Sequence, residues 1–363
     1  MKKLDKILRN CEVRLSLSTI HRVVKGLVRA RLFRKNTLRA LELYPTFACQ
    51  MKCDMCSVER YKTDSSSKRT LSMDDYSKLA TEAAKLGATT LIILGGEPTL
   101  FQDLFLLIDV FHKKNYFIHM VSNGMNLEQT YIRRLKQSGL DFLFLSLESM
   151  SEETNDRIRG AGHFQQTMRN ISWCRDEGLR VGLAPVFFPG HIDQALEVIE
   201  FCHREGLRSS GGQVAPVGKA IDTLLLSTEE INRIRNAVEQ YSNFAFDWSF
   251  SYFEGIRCPA GKEKVGVTMY GDVIPCSYNP IGFGNILSES LTCILKRMGS
   301  FSQFKKNYQG CLCSEDHIYI EKYLRPAALS SIYPLDCREH PEVFSEMEFC
   351  VFVKKGPSDS VRN

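Results

Sequence analysis

The sequence predicts an α/β protein: a partial, TIM-like (β/α)6 barrel followed by a smaller cysteine-rich extension. From residue 40 onward, strand-like apolar segments alternate with helix-like segments, which is typical of a parallel sheet covered by helices. Six such units occupy about 180 residues, whereas a complete eight-unit barrel needs about 250. Most of the 13 cysteines lie in two stretches, residues 49–56 and residues 258–337.

The predicted strands are short apolar segments, and capping residues mark the ends of several helices. Thr89–Leu94 is continuously apolar, as a strand covered on both faces requires. Ser72 is placed to cap the first helix and Gly87 to end it. The predicted strands are Leu41–Phe47, Thr89–Leu94, Phe117–Val121, Phe142–Leu147, Arg180–Phe188 and Gly212–Val217. The predicted helices are Met73–Leu86, Asp103–Lys114, Glu128–Ser138, Phe164–Glu177, Ile192–Glu205 and a bridging helix, Thr228–Tyr241.

Three cysteines stand close together on the loop after the first predicted strand. Three residues separate Cys49 from Cys53, and two separate Cys53 from Cys56. No histidine lies between His21 and His112, so no nearby imidazole completes a ligand set. A structural zinc site needs four closed ligands, whereas an iron–sulfur cluster with one open iron needs three thiolates. The loop favours the cluster, with a zinc knuckle as the alternative.

Glycines and polar residues occupy the positions where the predicted strands end. In a parallel barrel the functional loops lie at these C-terminal ends, so the residues converge on one face. Side chains alternate along a strand, so Ser146 and Glu148 point to the same side. The candidate residues are Gly95, Gly96, Glu97, Ser122, Asn123, Ser146 and Glu148, with Arg157 and Arg159 in the segment that follows.

The Cys-x3-Cys-x2-Cys loop after a first strand resembles the signature of the radical SAM superfamily. This resemblance implies that Cys49, Cys53 and Cys56 hold a [4Fe–4S] cluster. S-adenosylmethionine (SAM) would then chelate the fourth iron through its amino and carboxylate groups. The superfamily shares a partial barrel, in agreement with the predicted fold. One departure is Met55, where the family often has an aromatic residue before the third cysteine.

The same resemblance implies SAM-binding roles for the strand-end residues. Gly95-Gly96-Glu97 is similar to the family's glycine-glycine-glutamate element, in which the carboxylate accepts from the methionine ammonium. Ser146 and Glu148 take the place of the polar ribose contact, and Ser122 and Asn123 complete the expected cofactor-binding set. Arg157 or Arg159 would bind the SAM carboxylate bidentately, and a surface-helix arginine is the alternative for each.

The second cysteine-rich stretch resembles the SPASM and Twitch extensions, which hold auxiliary [4Fe–4S] clusters. Twelve residues separate Cys258 from Gly271, and four separate Gly271 from Cys276. Residues 266–269 and 272–275 are predicted to form a hairpin across Gly271. Only one residue separates Cys311 from Cys313, which favours the shorter Twitch arrangement with one auxiliary cluster. The expected ligands are Cys258, Cys276, Cys311 and Cys313, with Cys337 the rival for the last position and zinc the alternative occupant.

These features divide the chain into four predicted segments. Residues 1–39 form a basic amphipathic extension, 40–218 the radical SAM-like barrel, 219–257 a bridge and 258–363 the auxiliary cluster domain. The first segment carries 12 Lys and Arg against Asp5 and Glu12, a net charge of +10. Within it, Leu17, Ile20, Val24 and Leu27 follow helical spacing, with Arg22, Lys25 and Arg29 on another face. Two interpretations stay open: an apolar stripe packed on the barrel, or a helix lying on an anionic membrane.

No apolar run reaches the roughly 20 residues needed to cross a bilayer, and no signal peptide is recognisable. A cytoplasmic location is therefore expected, with peripheral membrane contact as the variant. A cysteine-rich intracellular chain favours metal binding over disulfides. No nucleic-acid partner is expected.

The resemblance implies reductive cleavage of SAM to a 5′-deoxyadenosyl radical that takes hydrogen from a small molecule or peptide. We predict a dehydrogenase-type oxidoreductase, with the auxiliary cluster as electron acceptor and flavodoxin or ferredoxin as electron donor. The alternatives are a peptide-maturing enzyme, an epimerase with Cys337 as hydrogen donor, and a non-catalytic iron–sulfur or zinc scaffold. The 39-residue N-terminal segment is too short for a leader-peptide recognition domain, which weighs against peptide maturation.

Overall fold

A computed structural model describes residues 16–32, 37–62, 68–247, 257–306 and 308–347. Its main sheet contains parallel strands in the order β1-β2-β3-β4-β5-β7, curled into a partial barrel, with β6 and β8 beside β7. The strands are β1 Ala40–Tyr44, β2 Thr90–Ile93, β3 Phe117–Ser122, β4 Phe142–Ser146, β5 Arg180–Ala184, β6 Val186–Phe187, β7 Arg208–Gln213 and β8 Phe244–Phe246. The predicted partial barrel is confirmed.

Helices cover the outside of this sheet and connect its strands. They are α1 Leu17–Arg31, α2 Met73–Leu86, α3 Leu104–His112, α4 Gln129–Ser138, α5 Glu152–Arg159, α6 His163–Glu177, α7 Ile192–Arg204 and α8 Thr228–Gln240. Ser72 and Asp75 form a capping box at the start of α2, and Gly87 ends it in the left-handed region. Leu41 and Leu91 are paired across β1 and β2 and belong to the core beneath the helices. The alternate residues of these strands face the barrel interior.

Two predicted strands differ from the observed ones. The sixth strand was expected at 212–217, but β7 covers Arg208–Gln213. The apolar residues 214–217 are buried as a loop instead, which explains why their composition suggested a strand. The fifth predicted strand is divided into β5 and β6, which lie on either side of Pro185, a residue without a backbone donor for a sheet ladder.

The extension continues the barrel sheet. Strand β9 (Lys264–Thr268) pairs in parallel with β1, and β10 (Val273–Ile274) pairs antiparallel with β9, which confirms the hairpin across Gly271. Gly271 has a φ of 87°, a conformation that favours glycine. The remaining elements are β11 Ile281–Gly282, α9 Leu291–Ser300, α10 Ser302–Lys305, α11 Leu312–Glu315, α12 His317–Tyr319, a π-helical turn Ile320–Leu324, α13 Arg325–Leu329, β12 Leu335–Asp336 and α14 Pro341–Ser345.

Helix α1 docks on the barrel in an unexpected orientation. Arg22, on the face opposite the apolar stripe, is buried, whereas Leu17, Ile20, Val24 and Leu27 are exposed. The interpretation in which the apolar stripe packs on the barrel is therefore wrong. The polar face finds backbone carbonyl acceptors at the end of the barrel, so it is this face that docks. Among the described helices, none is long and apolar enough to cross a membrane.

Candidate active site

A cavity of about 250 Å³ lies at the C-terminal ends of the barrel strands. The thiols of Cys49, Cys53 and Cys56, which we call the first cysteine field, line it. Ser277 and Tyr278, which directly follow Cys276 in the chain, line it as well. One cavity therefore borders both the first cysteine field and the chain next to an expected auxiliary-cluster ligand. Of the SAM-contact candidates, Gly95, Gly96, Glu97, Ser122, Asn123, Ser146 and Arg159 line this cavity.

Gly95 and Gly96 hold the cysteine loop, residues 46–56, against the end of β2. The amide of Gly96 donates to the Thr46 carbonyl at 2.9 Å, and the amide of Glu97 donates to the Ala48 carbonyl at 2.8 Å. A Cβ atom on Gly96 would lie 2.2 Å from the Ala48 carbonyl oxygen. The close approach that requires glycine here is therefore to the backbone of the cysteine loop.

Gly218 contacts the opposite end of the same loop, a role that the sequence analysis missed. It has a φ of 62°, and a Cβ atom there would lie 2.2 Å from the Cys56 carbonyl oxygen. The next residue, Lys219, donates its amide to that carbonyl at 3.0 Å and its Nζ to the Lys52 carbonyl at 3.0 Å. The only signal for this contact in the sequence was a glycine directly after the buried apolar run.

The first cysteine field has the chemistry of a thiolate site. Burial raises the pKa of Cys49 and Cys56, so these thiols need a compensating positive partner to ionise. Donors already point at the sulfurs: Asn123 Nδ2 lies 3.8 Å from Cys49 Sγ, and Arg159 Nη1 lies 3.5 Å from Cys53 Sγ. Hydrogen bonds to cluster sulfurs are a usual means of tuning an iron–sulfur cluster.

Across the described residues, no three Cys, His, Asp or Glu side chains converge on a single ion position. An iron–sulfur cluster, unlike a lone metal ion, presents a separate iron to each thiolate. The spread of the three thiols around one cavity therefore fits a cluster.

Glu97 is almost fully buried, and hydrogen bonds occupy both of its carboxylate oxygens. Oε1 accepts from Thr99 N at 3.0 Å and from Ser122 Oγ at 2.8 Å, while Oε2 accepts from Asn123 N at 2.8 Å. Burial raises the pKa of Glu97, and these hydrogen bonds oppose that shift. Glu97 thus ties the ends of β2 and β3 together at the cavity wall, while Ser146 reaches the same wall from the end of β4.

Glu148 and Arg159 form a buried ion pair beside the first cysteine field. Glu148 accepts from Arg159 through two guanidinium nitrogens, and its second oxygen accepts from Val186 N at 2.7 Å. Burial lowers the pKa of Arg159, but the charges of Glu148 and Cys53 raise it above its ordinary value. Arg157, on the same helix α5, is exposed and does not line the cavity. The structure therefore places Arg159, and not Arg157, at the candidate site.

A second buried ion pair was not predicted. Lys264 Nζ on β9 lies 2.8 Å from Glu42 Oε1 on β1, and both side chains are about 97% or more buried. Ser277 N donates to the other oxygen of Glu42 at 3.0 Å. Tyr278, which also lines the cavity, donates its hydroxyl to Asp247 at 3.3 Å. The sequence signal was Glu42 inside the otherwise apolar β1, whereas Lys264 stands at the start of β9 directly after two other charged residues.

The second cysteine field consists of Cys258, Cys276, Cys311 and Cys313, and all four thiols are buried. The thiols of Cys276 and Cys313 are hydrogen-bonded to each other, which lowers the pKa of Cys276; burial opposes this shift and the Lys264 ammonium adds to it. Burial raises the pKa of Cys258 and of Cys311; the charge of Cys276 raises both further, and that of Cys258 also raises the pKa of Cys311.

Cys337 is buried elsewhere. Its pKa is raised to about 12, mainly by burial, and the charges that act on it belong to Asp336, Arg297 and Arg338. It does not line the cavity. The structure therefore brings together the four expected auxiliary ligands, whereas the rival Cys337 is buried beside Asp336, Arg297 and Arg338.

Comparison with known proteins identifies two domains. Residues 43–202 match the model of the radical SAM superfamily, and residues 258–315 match that of SPASM, an iron–sulfur cluster-binding domain. A radical SAM domain binds a [4Fe–4S] cluster and SAM, and a SPASM domain binds auxiliary iron–sulfur clusters, so the predicted cofactors are confirmed.

Two curated relatives match less than half of the chain. The chain is 31% identical over 139 residues to Fe-coproporphyrin III synthase of Methanosarcina barkeri, a match that covers 38% of this chain and 34% of that protein. It is 29% identical over 142 residues to PqqA peptide cyclase of Rhizobium meliloti, a match that covers 39% of this chain and 37% of that protein. The chain thus spans about a third of the length of these relatives.

The fold is similar to that of SuiB from Streptococcus suis. The structure of SuiB bound to S-adenosylmethionine has a TM-score of 0.59 at 19% identity, covering 74% of this chain and 68% of that one. The structure of SuiB bound to the precursor peptide SuiA has a TM-score of 0.59 at 18% identity, covering 82% of this chain and 69% of that one. At this identity the likeness concerns the fold.

Proposed function

Because the chain belongs to the radical SAM superfamily and carries a SPASM domain, we propose that it catalyses a two-electron oxidation of its substrate. The observation that carries this proposal is the single cavity that borders both the first cysteine field and Ser277–Tyr278, next to Cys276. A substrate bound there lies between the two cluster sites. When bound, the first cluster and SAM supply a 5′-deoxyadenosyl radical that takes one hydrogen atom from the substrate.

The electron balance explains why a second cluster is useful. Loss of a hydrogen atom leaves a substrate radical, which becomes a closed-shell oxidised product by losing one more electron and one proton. Cys258, Cys276, Cys311 and Cys313 would hold an auxiliary cluster, which would accept this electron and pass it to an oxidised one-electron carrier such as flavodoxin or ferredoxin. An external one-electron donor such as flavodoxin or ferredoxin would re-supply the first cluster.

In this proposal, residues of the chain bind SAM and orient it in the cavity. Arg159 lines the cavity, and its buried partner Glu148, which does not line it, holds the guanidinium in place for a carboxylate of SAM. Glu97 is fixed at the junction of β2 and β3, within reach of an ammonium group in the cavity. The buried Glu42–Lys264 pair lies on the side towards Cys276, where Glu42 lines the cavity and accepts a hydrogen bond from Ser277 N.

A peptide substrate is the second candidate. PqqA peptide cyclase is among the curated relatives, and SuiB, a structural neighbour, binds the precursor peptide SuiA. The substrate is therefore sought among peptides as well as small molecules, and a peptide crosslink would be a two-electron oxidation of the same kind.

Substrate-dependent 5′-deoxyadenosine formation tests the proposal. Anaerobically reconstituted, dithionite-reduced protein is incubated with SAM and with metabolite and peptide pools, and the products are weighed by mass spectrometry. The proposal expects one 5′-deoxyadenosine per product, with a product two hydrogens lighter than the substrate. A product of unchanged mass that gains one deuteron in heavy water would establish an epimerase instead. Failure of the reconstituted protein to cleave SAM under any of these conditions would favour a non-catalytic scaffold.

A further inference from the structure

Helix α1 is fixed to the barrel by its polar face. The guanidinium of Arg22 donates to the carbonyls of Ala88 at 2.8 Å, Lys114 at 3.0 Å and Asn115 at 2.9 Å. It also lies 5.3 Å from the centroid of the Tyr116 ring, a cation–π distance. Hydrogen bonds from the Arg22 side chain to the loops before β2 and β3 hold α1 in one orientation.

The opposite face of α1 is an exposed apolar stripe, formed by Leu17, Ile20, Val24, Leu27 and Val28. Leu17 is 88% exposed and Val24 53%. At about 100° per residue, Leu17, Val24 and Val28 lie within roughly 20° of one line, and the buried Gly26 lies roughly opposite. Burying a polar face and exposing an apolar one is the reverse of the arrangement in an ordinary surface helix. The stripe therefore requires an occupant.

Positive charge lies along one flank of this stripe. Lys25 and Arg29 are exposed on the flank of α1 between the stripe and the docked face. Lys85 is exposed at the end of α2, two residues before the loop whose Ala88 carbonyl binds Arg22. Residues 1–39 as a whole carry a net charge of +10. An apolar surface bordered by cations matches the interface of an anionic bilayer.

We propose that the apolar stripe of α1 docks the protein on an anionic lipid bilayer. The stripe residues would enter the boundary between head groups and acyl chains, and Lys25 and Arg29 would contact the lipid phosphates. A second copy of the chain is a poorer occupant, because it would bring two +10 segments together. Residues 1–15 contribute to that same excess of positive charge, so they too are a poorer match.

The proposal also sets the orientation of the candidate active site. Arg22 binds residues just before β2 and β3, which are the N-terminal ends of those strands. The cavity lies at the C-terminal ends of the same strands, on the other side of the barrel. A membrane-bound molecule would therefore keep its cavity towards the aqueous side, away from the bilayer.

Vesicle flotation with the full-length protein tests this docking. The probes are phosphatidylcholine vesicles with and without phosphatidylglycerol. The stripe variant is Ile20→Ser/Val24→Ser/Val28→Ser, and its matched control is Leu224→Ser/Ile318→Ser/Leu329→Ser, which removes three exposed apolar side chains elsewhere. Lys25→Ala/Arg29→Ala tests the charges. SAM-dependent 5′-deoxyadenosine formation serves as the folding control for every variant.

Wild type and the matched control should bind phosphatidylglycerol vesicles and lose that binding at high salt. The stripe variant should bind at least about tenfold more weakly, because its apolar area is lost. Each cation removed should weaken binding about fivefold. No flotation of wild type at low salt would overturn the proposal, and so would wild-type binding by the stripe variant. If light scattering showed a dimer for wild type and a monomer for the stripe variant, the stripe would instead contact a second copy of the chain.

Discussion

Arg159 Nη1 lies 3.5 Å from the Sγ of Cys53, while the same guanidinium is paired with the buried carboxylate of Glu148. The Arg159 side chain therefore links helix α5 and the second residue after β4 to the first cysteine field. A positive charge at a cluster sulfur stabilises the thiolate, and a fixed fork of donors suits a carboxylate ligand. We therefore expect the position of Arg159 to affect both the first cysteine field and the proposed SAM site.

We predict that Arg159→Lys lowers SAM cleavage at least about tenfold. Lysine keeps the charge but cannot donate from a planar fork to Glu148 and Cys53 together. The measurement is 5′-deoxyadenosine formation with iron content determined in parallel. Arg157→Lys is the matched control on the same helix, and it should remain within about twofold of wild type because Arg157 is exposed. Equal effects of the two changes would remove Arg159 from the site.

Iron content should separate the two cysteine fields. Two [4Fe–4S] clusters give roughly eight irons per chain, and Cys49→Ala/Cys53→Ala/Cys56→Ala should leave about half, with no SAM cleavage. Cys276→Ala should lose the other half and still cleave SAM. Cys337→Ala should retain about eight irons, since Cys337 does not line the cavity and the charges that act on it are those of Asp336, Arg297 and Arg338. Loss of iron in that variant would instead make Cys337 a ligand.

Gly96→Ala should disturb the cysteine loop. The new methyl group would meet the Ala48 carbonyl at 2.2 Å, and a backbone oxygen cannot rotate away as a side chain can. Overpacking of this kind costs about 1–3 kcal/mol, so we expect less iron after reconstitution and weaker SAM cleavage. Gly218→Ala should act similarly on the other end of the loop. Gly299→Ala is the control, because nothing lies within 4 Å of its Cβ position in helix α9. Full iron incorporation by Gly96→Ala would contradict the packing role.

Lys264→Met should destabilise the protein by about 3–5 kcal/mol, because it leaves the buried Glu42 carboxylate without its cation. Anaerobic urea denaturation of the cluster-loaded protein measures the loss as a lower midpoint. The double variant Glu42→Gln/Lys264→Met removes the uncompensated charge and should recover most of the stability. If the double variant were no more stable than Lys264→Met, the ion pair would not be the source of the effect.

Local sequence patterns predicted most of the barrel because they report on single elements. The period of apolar residues, apolar runs and caps identify a helix or a strand wherever it packs, and the N-cap at Ser72 and the turn at Gly271 were predicted in this way. The sixth strand was misplaced because burial alone makes a segment apolar. The loop 214–217 is buried without being a strand, and composition does not distinguish the two.

The cysteine spacings and the Gly-Gly-Glu turn by themselves indicated the radical SAM and SPASM domains and their cofactors. Each of these motifs is formed by residues that lie close together in the chain. Only the tertiary structure decided between Arg157 and Arg159: two residues apart on a helix, they point about 200° apart, and the packing of α5 selects which one faces the cavity. The outward turn of the α1 stripe and the pairing of Glu42 with Lys264 were decided in the same way. Each of these three outcomes depends on which surfaces meet when distant segments pack, and the spacing of residues along the chain does not specify that.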